Sequence, residues 1–173
     1  MRDAASLERL VSEHLPIALR FATRLAGDPH QAEELVQEAL LRVVRSWESF
    51  RGEADFRTWL FRIIINVFRD GRRGTAEGSV SLAEYVNELA EVAEPEPAAA
   101  AMAGELEERI ALEVSRLPPR QREVLVLMTF EQMTVAEVAS VVGISSANVY
   151  STLSAARAQL RTRLAPYLDS SHK

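Results

Sequence analysis

The sequence predicts an all-α protein of two small helical domains joined by an acidic flexible linker. Apolar residues recur three and four positions apart along most of the 173-residue chain, which is the period of an amphipathic helix. No segment sustains the alternation of apolar and polar residues that is typical of a strand. The composition changes in the middle, where residues 75–104 hold no Lys or Arg and six glutamates. This segment is predicted to link domains at residues 1–74 and 105–173, with one short helix around Leu82–Val92.

Three helices are predicted in the first domain. The first has apolar residues at helical spacing from Leu7 to Ala22. Asp28 is the predicted N-cap of the second helix, which runs from Pro29 to Trp47 with a proline at its first position. The third runs from about Phe56 to Arg69 and is predicted to end at Gly71.

Four helices are predicted in the second domain, and the last two form a helix–turn–helix. Their predicted bounds are Glu105–Arg116, Gln121–Phe130, Val135–Val142 and Ser146–Leu164. Thr134 and Glu137 have the spacing of a capping box, and Gly143 lies where the tight turn needs a left-handed residue. Ser145 is the predicted N-cap of the last helix. The predicted buried stripe consists of Ile144, Val149, Leu153, Ala156 and Leu160.

The outward side of the last helix is a candidate surface for duplex DNA. In a helix–turn–helix, the early outward residues of the second helix reach base edges in the major groove. Asn148 could bond adenine, but Arg157 is the single cation in the set, so weak affinity is expected from this module alone. A helical hairpin used only for packing is the alternative. The candidate contacts, called the recognition set below, are Ser146, Asn148, Tyr150, Ser151, Thr152 and Arg157.

One face of the second helix combines carboxylates with an exposed apolar residue. Glu34, Gln37, Glu38 and Leu41, called the docking stripe below, lie at positions i, i+3, i+4 and i+7. The opposite face is predicted to pack inward and consists of Ala32, Leu35, Val36, Ala39 and Val43. Composition alone favours a solvated face and a docking site for a basic partner helix about equally.

The most basic stretch of the chain is residues 56–73, with five arginines against one acid. Aromatic residues interleaved with arginine suit unpaired bases, because rings stack on the bases while guanidinium groups hold phosphates. Trp59 and Phe68 are nevertheless expected to belong to the core. The arginines expected to contact phosphate are Arg57, Arg62, Arg69, Arg72 and Arg73.

Several classes of function are excluded by composition. The chain has no cysteine, and its three histidines lie far apart without metal-ligand spacing. No nucleophile–base set or glycine-rich phosphate loop is visible, so neither an enzyme nor a cofactor is expected. No apolar run is long enough for a membrane span, and the N-terminus is unlike a signal peptide. A cytoplasmic protein without membrane insertion is therefore expected. The formal net charge of −5 arises in the linker and does not exclude nucleic acid.

These motifs together resemble the extracytoplasmic-function (ECF) family of RNA polymerase sigma factors. The runs AEELVQEALLRVVRSW and FRTWLFRIIINVFRDGRR are similar to the family's second conserved region. The runs LPPRQREVLVLMTFEQMTVAEVASVVGIS and VYSTLSAARAQL are similar to its fourth region. The resemblance implies a non-enzymatic subunit that binds core RNA polymerase and promoter DNA, directs DNA melting and initiates transcription. An anti-sigma factor is an expected further partner.

The resemblance also implies roles for the candidate residues. The docking stripe would bind the clamp helices of the polymerase's largest subunit. The recognition set would read the minus-thirty-five element as duplex, and the acidic linker would thread through polymerase as a mimic of nucleic acid. The minus-ten element would be captured with a base of the melted non-template strand taken out of the stack. The residues for that role, called the minus-ten set below, are Arg51, Glu53, Asp55, Arg57, Arg62, Asn66, Arg69, Arg72 and Arg73.

Two other functions remain open from the sequence. One is a two-domain helix–turn–helix regulator that binds duplex DNA, as a dimer, without polymerase. The other is a sigma-like adaptor that sequesters a regulator. The first gives no role to the docking stripe or to the arginine-rich helix.

Overall fold

The computed structural model describes residues 4–74 and 97–170, with side chains over 4–72 and 104–167. Within these ranges the chain is helical and contains no strand, so the prediction of an all-α, two-domain protein is confirmed. The helix predicted around Leu82–Val92 lies outside the described residues. The elements are α1 Ala4–Ala26, α2 Pro29–Ser46, a 3₁₀ turn Trp47–Ser49, α3 Phe56–Gly74, α4 Pro97–Ser115, α5 Pro119–Thr129, α6 Val135–Val142 and α7 Ser146–Ser170.

Side-chain caps determine where several of these helices begin. The Asp28 carboxylate accepts a hydrogen bond of 2.8 Å from the backbone N–H of Gln31, as predicted for the N-cap of α2. At the start of α6, Thr134 and Glu137 form both halves of the predicted capping box. The Ser145 hydroxyl accepts from the third backbone N–H after it at 3.2 Å, which caps α7.

Three predicted helix ends differ from the structure by more than two residues. Helix α3 continues through Gly71 to Gly74, because one glycine costs a packed helix only about 1 kcal/mol relative to alanine and does not by itself end it. Helix α4 begins at Pro97 rather than Glu105, inside the segment interpreted as linker, since proline is well tolerated at the first position of a helix. Helix α7 continues past Leu164 to Ser170, and the residues directly after Leu164, 165–167, are exposed, so no apolar stripe marks the extension.

The first domain packs α1, α2 and α3 around large side chains. Phe21 of α1 and Phe61 of α3 are fully buried and stack with ring centroids 4.2 Å apart. Every residue of the predicted inward face of α2 is buried. The docking stripe therefore lies on the side of α2 that turns away from the core.

In the second domain, α7 packs on α5 and α6. Val149, Leu153 and Ala156 are buried and Leu160 is half-buried, so the predicted stripe of α7 faces the core. Gly143 adopts φ 74°, the left-handed conformation that the turn between α6 and α7 requires. A Cβ there would meet no atom within 4 Å, so the requirement for glycine is one of backbone conformation and not of space.

The two domains are in contact with each other. Helix α3 packs on α6, and α1 packs on α4 and α5. The buried apolar side chains of both halves form one continuous cluster. This contact brings the arginine-rich helix α3 against the helix–turn–helix.

Candidate nucleic-acid interface

The docking stripe forms an exposed band along α2. Leu41 is 52% exposed although it is apolar, and Glu34 and Gln37 are also exposed. Glu38 is half-buried. Val44, three residues after Leu41, is 61% exposed and extends the apolar end of the band. The sequence analysis missed Val44, although its i+3 spacing from Leu41 was a usable signal.

Glu38 has a structural role that the other stripe residues lack. Arg42 donates a hydrogen bond of 2.9 Å to Glu38 and a second one of 2.7 Å to Asp70 of α3. These two hydrogen bonds raise the pKa of Arg42 above its ordinary value. The Glu34 carboxylate lies 3.5 Å from the His30 ring, one turn earlier on the same helix. Glu34 is therefore the better position for testing docking without disturbing the contact between α2 and α3.

The loop before α3 presents three members of the minus-ten set to solvent. Arg51, Glu53 and Asp55 are all exposed, and Gly52 between them adopts φ 73°. The backbone carbonyl of Asp55 accepts from the N–H of Trp59 at 3.1 Å, so this loop leads directly into the first turn of α3. The three polar side chains lie together at the N-terminal end of that helix.

The aromatic residues of this region contribute mainly to the core. Phe56, Phe61 and Phe68 are buried, which confirms the prediction for Phe68 and leaves these three rings unavailable to bases. Trp59 is half-buried, packs against the core and stacks on Phe50 with ring centroids 4.6 Å apart. This stacked pair is the aromatic surface that remains partly open beside the loop.

The polar side chains of α3 divide into an exposed group and a group held by the second domain. Asn66 and Arg72 are exposed, and the Arg72 guanidinium lies 5.6 Å from the centre of the Phe68 ring. The side chain of Arg73 lies outside the described residues. Arg57, Arg62 and Arg69 are half-buried, and each contacts a residue of the second domain.

Arg69 makes the strongest of these interdomain contacts. Its Nε and Nη2 atoms donate to the two carboxylate oxygens of Glu123 at 2.9 and 2.6 Å, and Nη2 also donates to the Val142 carbonyl at 3.1 Å. A two-pronged guanidinium–carboxylate pair is stronger and more directional than a single contact. The Glu123 side chain is only 1% exposed and that of Arg69 25%, so solvent screens this pair weakly.

Two further arginines of α3 contact the second domain. Arg62 donates to the Ser140 hydroxyl of α6 at 2.5 Å, and Arg57 donates to the backbone carbonyl of Glu131 at 3.4 Å. The partners lie 78 and 74 residues away in the sequence. No local pattern could have predicted these contacts.

A second group of interdomain contacts involves α1. Arg24 donates to the buried carboxylate of Glu131 at 3.1 Å and lies over the Phe130 ring at 4.8 Å. Burial raises the pKa of Glu131 above its ordinary value of 4.5, and the nearby charge of Arg24 opposes this shift. Arg122 of α5 donates to the Leu25 carbonyl at 2.5 Å, close to the C-terminus of α1. Burial lowers the pKa of Arg122 to about 10, so it remains charged at neutral pH.

The recognition set lies on the open side of α7. Ser146, Asn148, Ser151 and Arg157 are exposed, Tyr150 is 63% exposed, and Thr152 is half-buried. The Ser151 hydroxyl donates to the Asn148 carbonyl at 3.2 Å. The structure thus brings these side chains to one surface, which carries little positive charge.

The described residues offer no site for a metal ion or a membrane span. No group of three or more His, Asp or Glu side chains comes together among them in a way that could hold a metal. None of their helices combines the length and the apolar character needed to cross a bilayer.

Comparison with known proteins identifies both halves of the chain. Two family profiles match it, Sigma-70 region 2 over residues 10–77 and Sigma-70 region 4 over residues 107–160. The RNA polymerase sigma-E factor of Streptomyces coelicolor is 32% identical over 166 residues, which are 95% of this chain and 89% of that protein. The chain belongs to the extracytoplasmic-function family of RNA polymerase sigma factors.

Other relatives agree on the family but differ in length. The ECF RNA polymerase sigma factor SigE of Mycolicibacterium smegmatis is 32% identical over 164 residues, and the match spans 94% of this chain but only 63% of that protein. Among solved structures, CnrH in complex with the cytosolic domain of CnrY superposes with a TM-score of 0.67 at 27% identity. That match covers 95% of this chain and 90% of CnrH.

Proposed function

We propose that this chain is a non-enzymatic initiation subunit that binds core RNA polymerase through the docking stripe. The observation that carries the proposal is the exposed band of Glu34, Gln37 and Leu41 on a helix whose opposite face is buried. An exposed leucine beside carboxylates fits a basic amphipathic partner helix better than it fits water. Val44 enlarges the apolar part of the same surface.

We propose that promoter DNA is recognised by two surfaces, one in residues 1–74 and one in residues 105–173. The exposed loop Arg51–Asp55 and the arginines of α3 would hold the melted non-template strand of the minus-ten element. The open surface of α7 would enter the major groove of the minus-thirty-five element. Matches to Sigma-70 regions 2 and 4 on these two parts of the chain support this division of roles.

We further propose a protein antagonist for this chain, of the anti-sigma class, acting in the cytoplasm where polymerase works. The support comes from CnrH, which was solved with the cytosolic domain of CnrY. The role suggested for the acidic linker, a mimic of nucleic acid inside polymerase, depends on its six glutamates, which all lie outside the described residues. A regulator that acts without polymerase leaves the docking stripe without a role.

Binding to core polymerase tests the proposal most directly. The fluorescently labelled chain should bind core RNA polymerase of Streptomyces coelicolor and start run-off transcription from a library of randomised promoters. Glu34→Arg should weaken polymerase binding about tenfold or more, because a reversed charge on an interface is repelled by the basic partner. Fluorescence anisotropy measures the binding.

The matched control is Glu8→Arg, the same charge change at an exposed position of α1 outside the docking stripe. It should bind polymerase like the wild type. A wild-type chain that neither binds core polymerase nor starts transcription would overturn the proposed function. Equal weakening by Glu8→Arg and Glu34→Arg would overturn only the docking stripe, because the effect would then follow net charge.

A further inference from the structure

Four arginines lie where the C-terminal part of α3 meets the start of α5. Arg69 and Arg72 belong to α3, and Arg120 and Arg122 belong to α5. These four residues are called the arginine cluster below. Among the described side chains, Glu123 is the one carboxylate that forms an ion pair with the cluster, through Arg69 and Arg120. Four guanidinium groups against one carboxylate leave an excess of three positive charges.

Arg69 and Arg120 are brought together by shared acceptors. Both donate to the backbone carbonyl of Val142, at 3.1 and 2.8 Å. Both also lie beside the Glu123 carboxylate, at 2.6 and 4.0 Å. Because Arg69 reaches this point from α3 and Arg120 from α5, the two helices place their guanidinium groups side by side. A single carboxylate compensates the charge of only one of them.

Arg72 and Arg122 lie against the same aromatic ring. Their guanidinium groups are 5.6 and 5.9 Å from the centre of the Phe68 ring. Arg122 is 5% exposed, and within the described part of the chain it donates only to backbone carbonyls, while its Nε–H is buried without a partner. Burial lowers the pKa of Arg122 to about 10, and the neighbouring charge of Arg72 contributes to this shift. An anion beside these two groups would relieve their repulsion.

We propose that the arginine cluster binds the phosphate chain of a small polyphosphate anion, such as inorganic tripolyphosphate or a nucleoside triphosphate. Arg72 is exposed and the Arg120 side chain is 46% exposed, so both can contact a ligand directly. Guanidinium groups match phosphate oxygens with paired N–H donors. Arg69 and Arg122 are held by protein acceptors and add positive potential behind the contact surface. A chain of phosphates can reach cations on both helices, which a single phosphate cannot.

The start of α5 adds to the attraction for an anion. The N-cap position is Pro118, which makes no side-chain capping hydrogen bond, and Pro119 follows at the first helical position. The first N–H groups of a helix and its dipole favour phosphate. Arg120 follows directly, so the positive end of the helix and a cation lie together.

The polyphosphate site differs from both candidate DNA surfaces in the residues that form it. Arg69 and Arg72 belong to the minus-ten set, but Arg120 and Arg122 belong to neither the minus-ten set nor the recognition set. A small polyphosphate would use arginines of both domains at once. The proposal therefore stands independently of the proposed function.

Isothermal titration calorimetry of the full chain at low salt measures this binding without polymerase or DNA. The wild type should bind tripolyphosphate about tenfold or more tightly than orthophosphate, because the longer anion gains one more charged hydrogen bond. Arg72→Gln and Arg120→Gln should each weaken tripolyphosphate binding by about tenfold or more for the same reason. Tripolyphosphate should also raise the melting temperature of the wild type more than that of either variant.

Arg161→Gln is the matched control, the same charge change at an exposed position of α7 outside the arginine cluster. It should bind tripolyphosphate like the wild type. Circular dichroism checks that each variant is folded. If Arg120→Gln does not fold, Arg120→Lys keeps a cation beside the Val142 carbonyl and should still weaken binding, because an ammonium group lacks the paired donors of a guanidinium.

The outcomes separate the polyphosphate site from general attraction to anions. A wild-type chain that shows neither binding heat nor a higher melting temperature with tripolyphosphate overturns the proposal. Equal weakening by Arg161→Gln also overturns it, because the effect would then follow net charge. Weakening by Arg72→Gln but not by a folded Arg120 variant confines binding to α3 and overturns a site shared by both domains.

Two ligands identify the source of the phosphate chain. If adenosine triphosphate binds as tightly as tripolyphosphate, the phosphate chain alone is recognised, and tighter binding adds a contact with the nucleoside. Both results support the site when the Arg72 and Arg120 variants weaken them. A wild-type chain that binds tripolyphosphate but fails in run-off transcription would overturn the proposed function alone.

Discussion

Helices α3 and α7 carry the two candidate DNA surfaces. The two surfaces differ in positive charge and in exposure to solvent. Helix α3 is rich in arginine, but Arg57, Arg62 and Arg69 are engaged by the second domain. Helix α7 presents its candidate side chains to solvent, but they are nearly all neutral, and Tyr150 is the largest of them. On α3, three arginines are held by the second domain and Arg72 is exposed, whereas the recognition set on α7 holds one arginine, Arg157.

The difference predicts weak DNA binding by the free chain for two separate reasons. Phosphate contacts dominate affinity for nucleic acid, so a helix with one cation contributes little. On α3, the guanidinium groups of Arg57, Arg62 and Arg69 become fully accessible only when the domains separate. A partner that holds the two domains apart would therefore strengthen DNA binding without adding any contact of its own, and core polymerase is the partner proposed above.

The largest expected effect concerns how deeply the inward side chains of α3 and α7 are buried. Helix α3 is anchored by fully buried Phe61, whereas the last inward residue of α7, Leu160, is half-buried. Phe61→Ala should lower the free energy of unfolding by about 3–5 kcal/mol through the cavity it leaves, and Leu160→Ala by less than about 2 kcal/mol. Urea denaturation, followed by fluorescence and by circular dichroism, measures both.

The positions of the two tryptophans allow the unfolding of the first domain to be followed separately. Trp47 and Trp59 both belong to the first domain, so fluorescence reports its unfolding while far-ultraviolet circular dichroism reports both domains. Phe61→Ala should shift the fluorescence transition to lower urea, and Leu160→Ala should leave it nearly unchanged. Equal shifts would show that the two domains unfold as one unit.

Local chemistry explains what could be predicted from the sequence. Helix α6 has the predicted bounds because Thr134, Glu137 and Gly143 define both of its ends within a few residues. Periodicity likewise predicted the buried face of α2 and the exposure of Leu41. The continuation of α3 past Gly71 was not predicted, because a single glycine costs a helix only about 1 kcal/mol relative to alanine and does not by itself end it.

Contacts between distant residues explain what could not be predicted. Arg69 and Glu123 are 54 positions apart, and nothing in either local sequence indicates the pair. The arginines of α3 were predicted to contact phosphate, and that role stays a prediction. Their present partners are a carboxylate, a hydroxyl and backbone carbonyls of the second domain, which depend on how two separately predicted domains meet.

A smaller effect is expected from adding charge to the open surface of α7. Tyr150→Arg should raise affinity for duplex promoter DNA and steepen its salt dependence by about 0.9 in the log–log slope, the value for one additional phosphate contact. Thr152→Arg should act in the same direction. Anisotropy titrations of duplex DNA at several salt concentrations give both quantities.

Ala165→Arg is the matched control for net charge. This residue is exposed on the same helix but lies about 22 Å beyond Tyr150, given a rise of about 1.5 Å per residue. It should leave the slope nearly unchanged. If Tyr150→Arg and Thr152→Arg also leave affinity and slope unchanged, the recognition set does not face the DNA backbone. Lack of positive charge would then not explain weak DNA binding by α7.

The smallest expected effect compares two glutamates at the edge of the helix–turn–helix. Glu131 is buried at the contact with α1, and burial raises the pKa of its carboxyl. Glu137 is half-buried in the capping box, where hydrogen bonds from the Thr134 hydroxyl and backbone N–H lower the pKa of its carboxyl. The two groups should therefore give stability an opposite dependence on pH.

The direction of each pH effect depends on whether the carboxyl binds its proton more tightly in the folded or in the unfolded chain. Between pH 4.5 and its raised pKa, Glu131 is protonated in the folded chain but ionised in the unfolded chain, so its contribution to stability is lost as pH rises. Glu137 contributes stability above pH 4.5 that is lost as pH falls through its lowered pKa. The melting temperature of Glu131→Gln should therefore rise relative to wild type as pH increases from 4 to 7, and that of Glu137→Gln should fall. A parallel pH dependence of the two variants would mean that Glu131 stays open to water, and the closed contact between α1 and the second domain would then not form in solution.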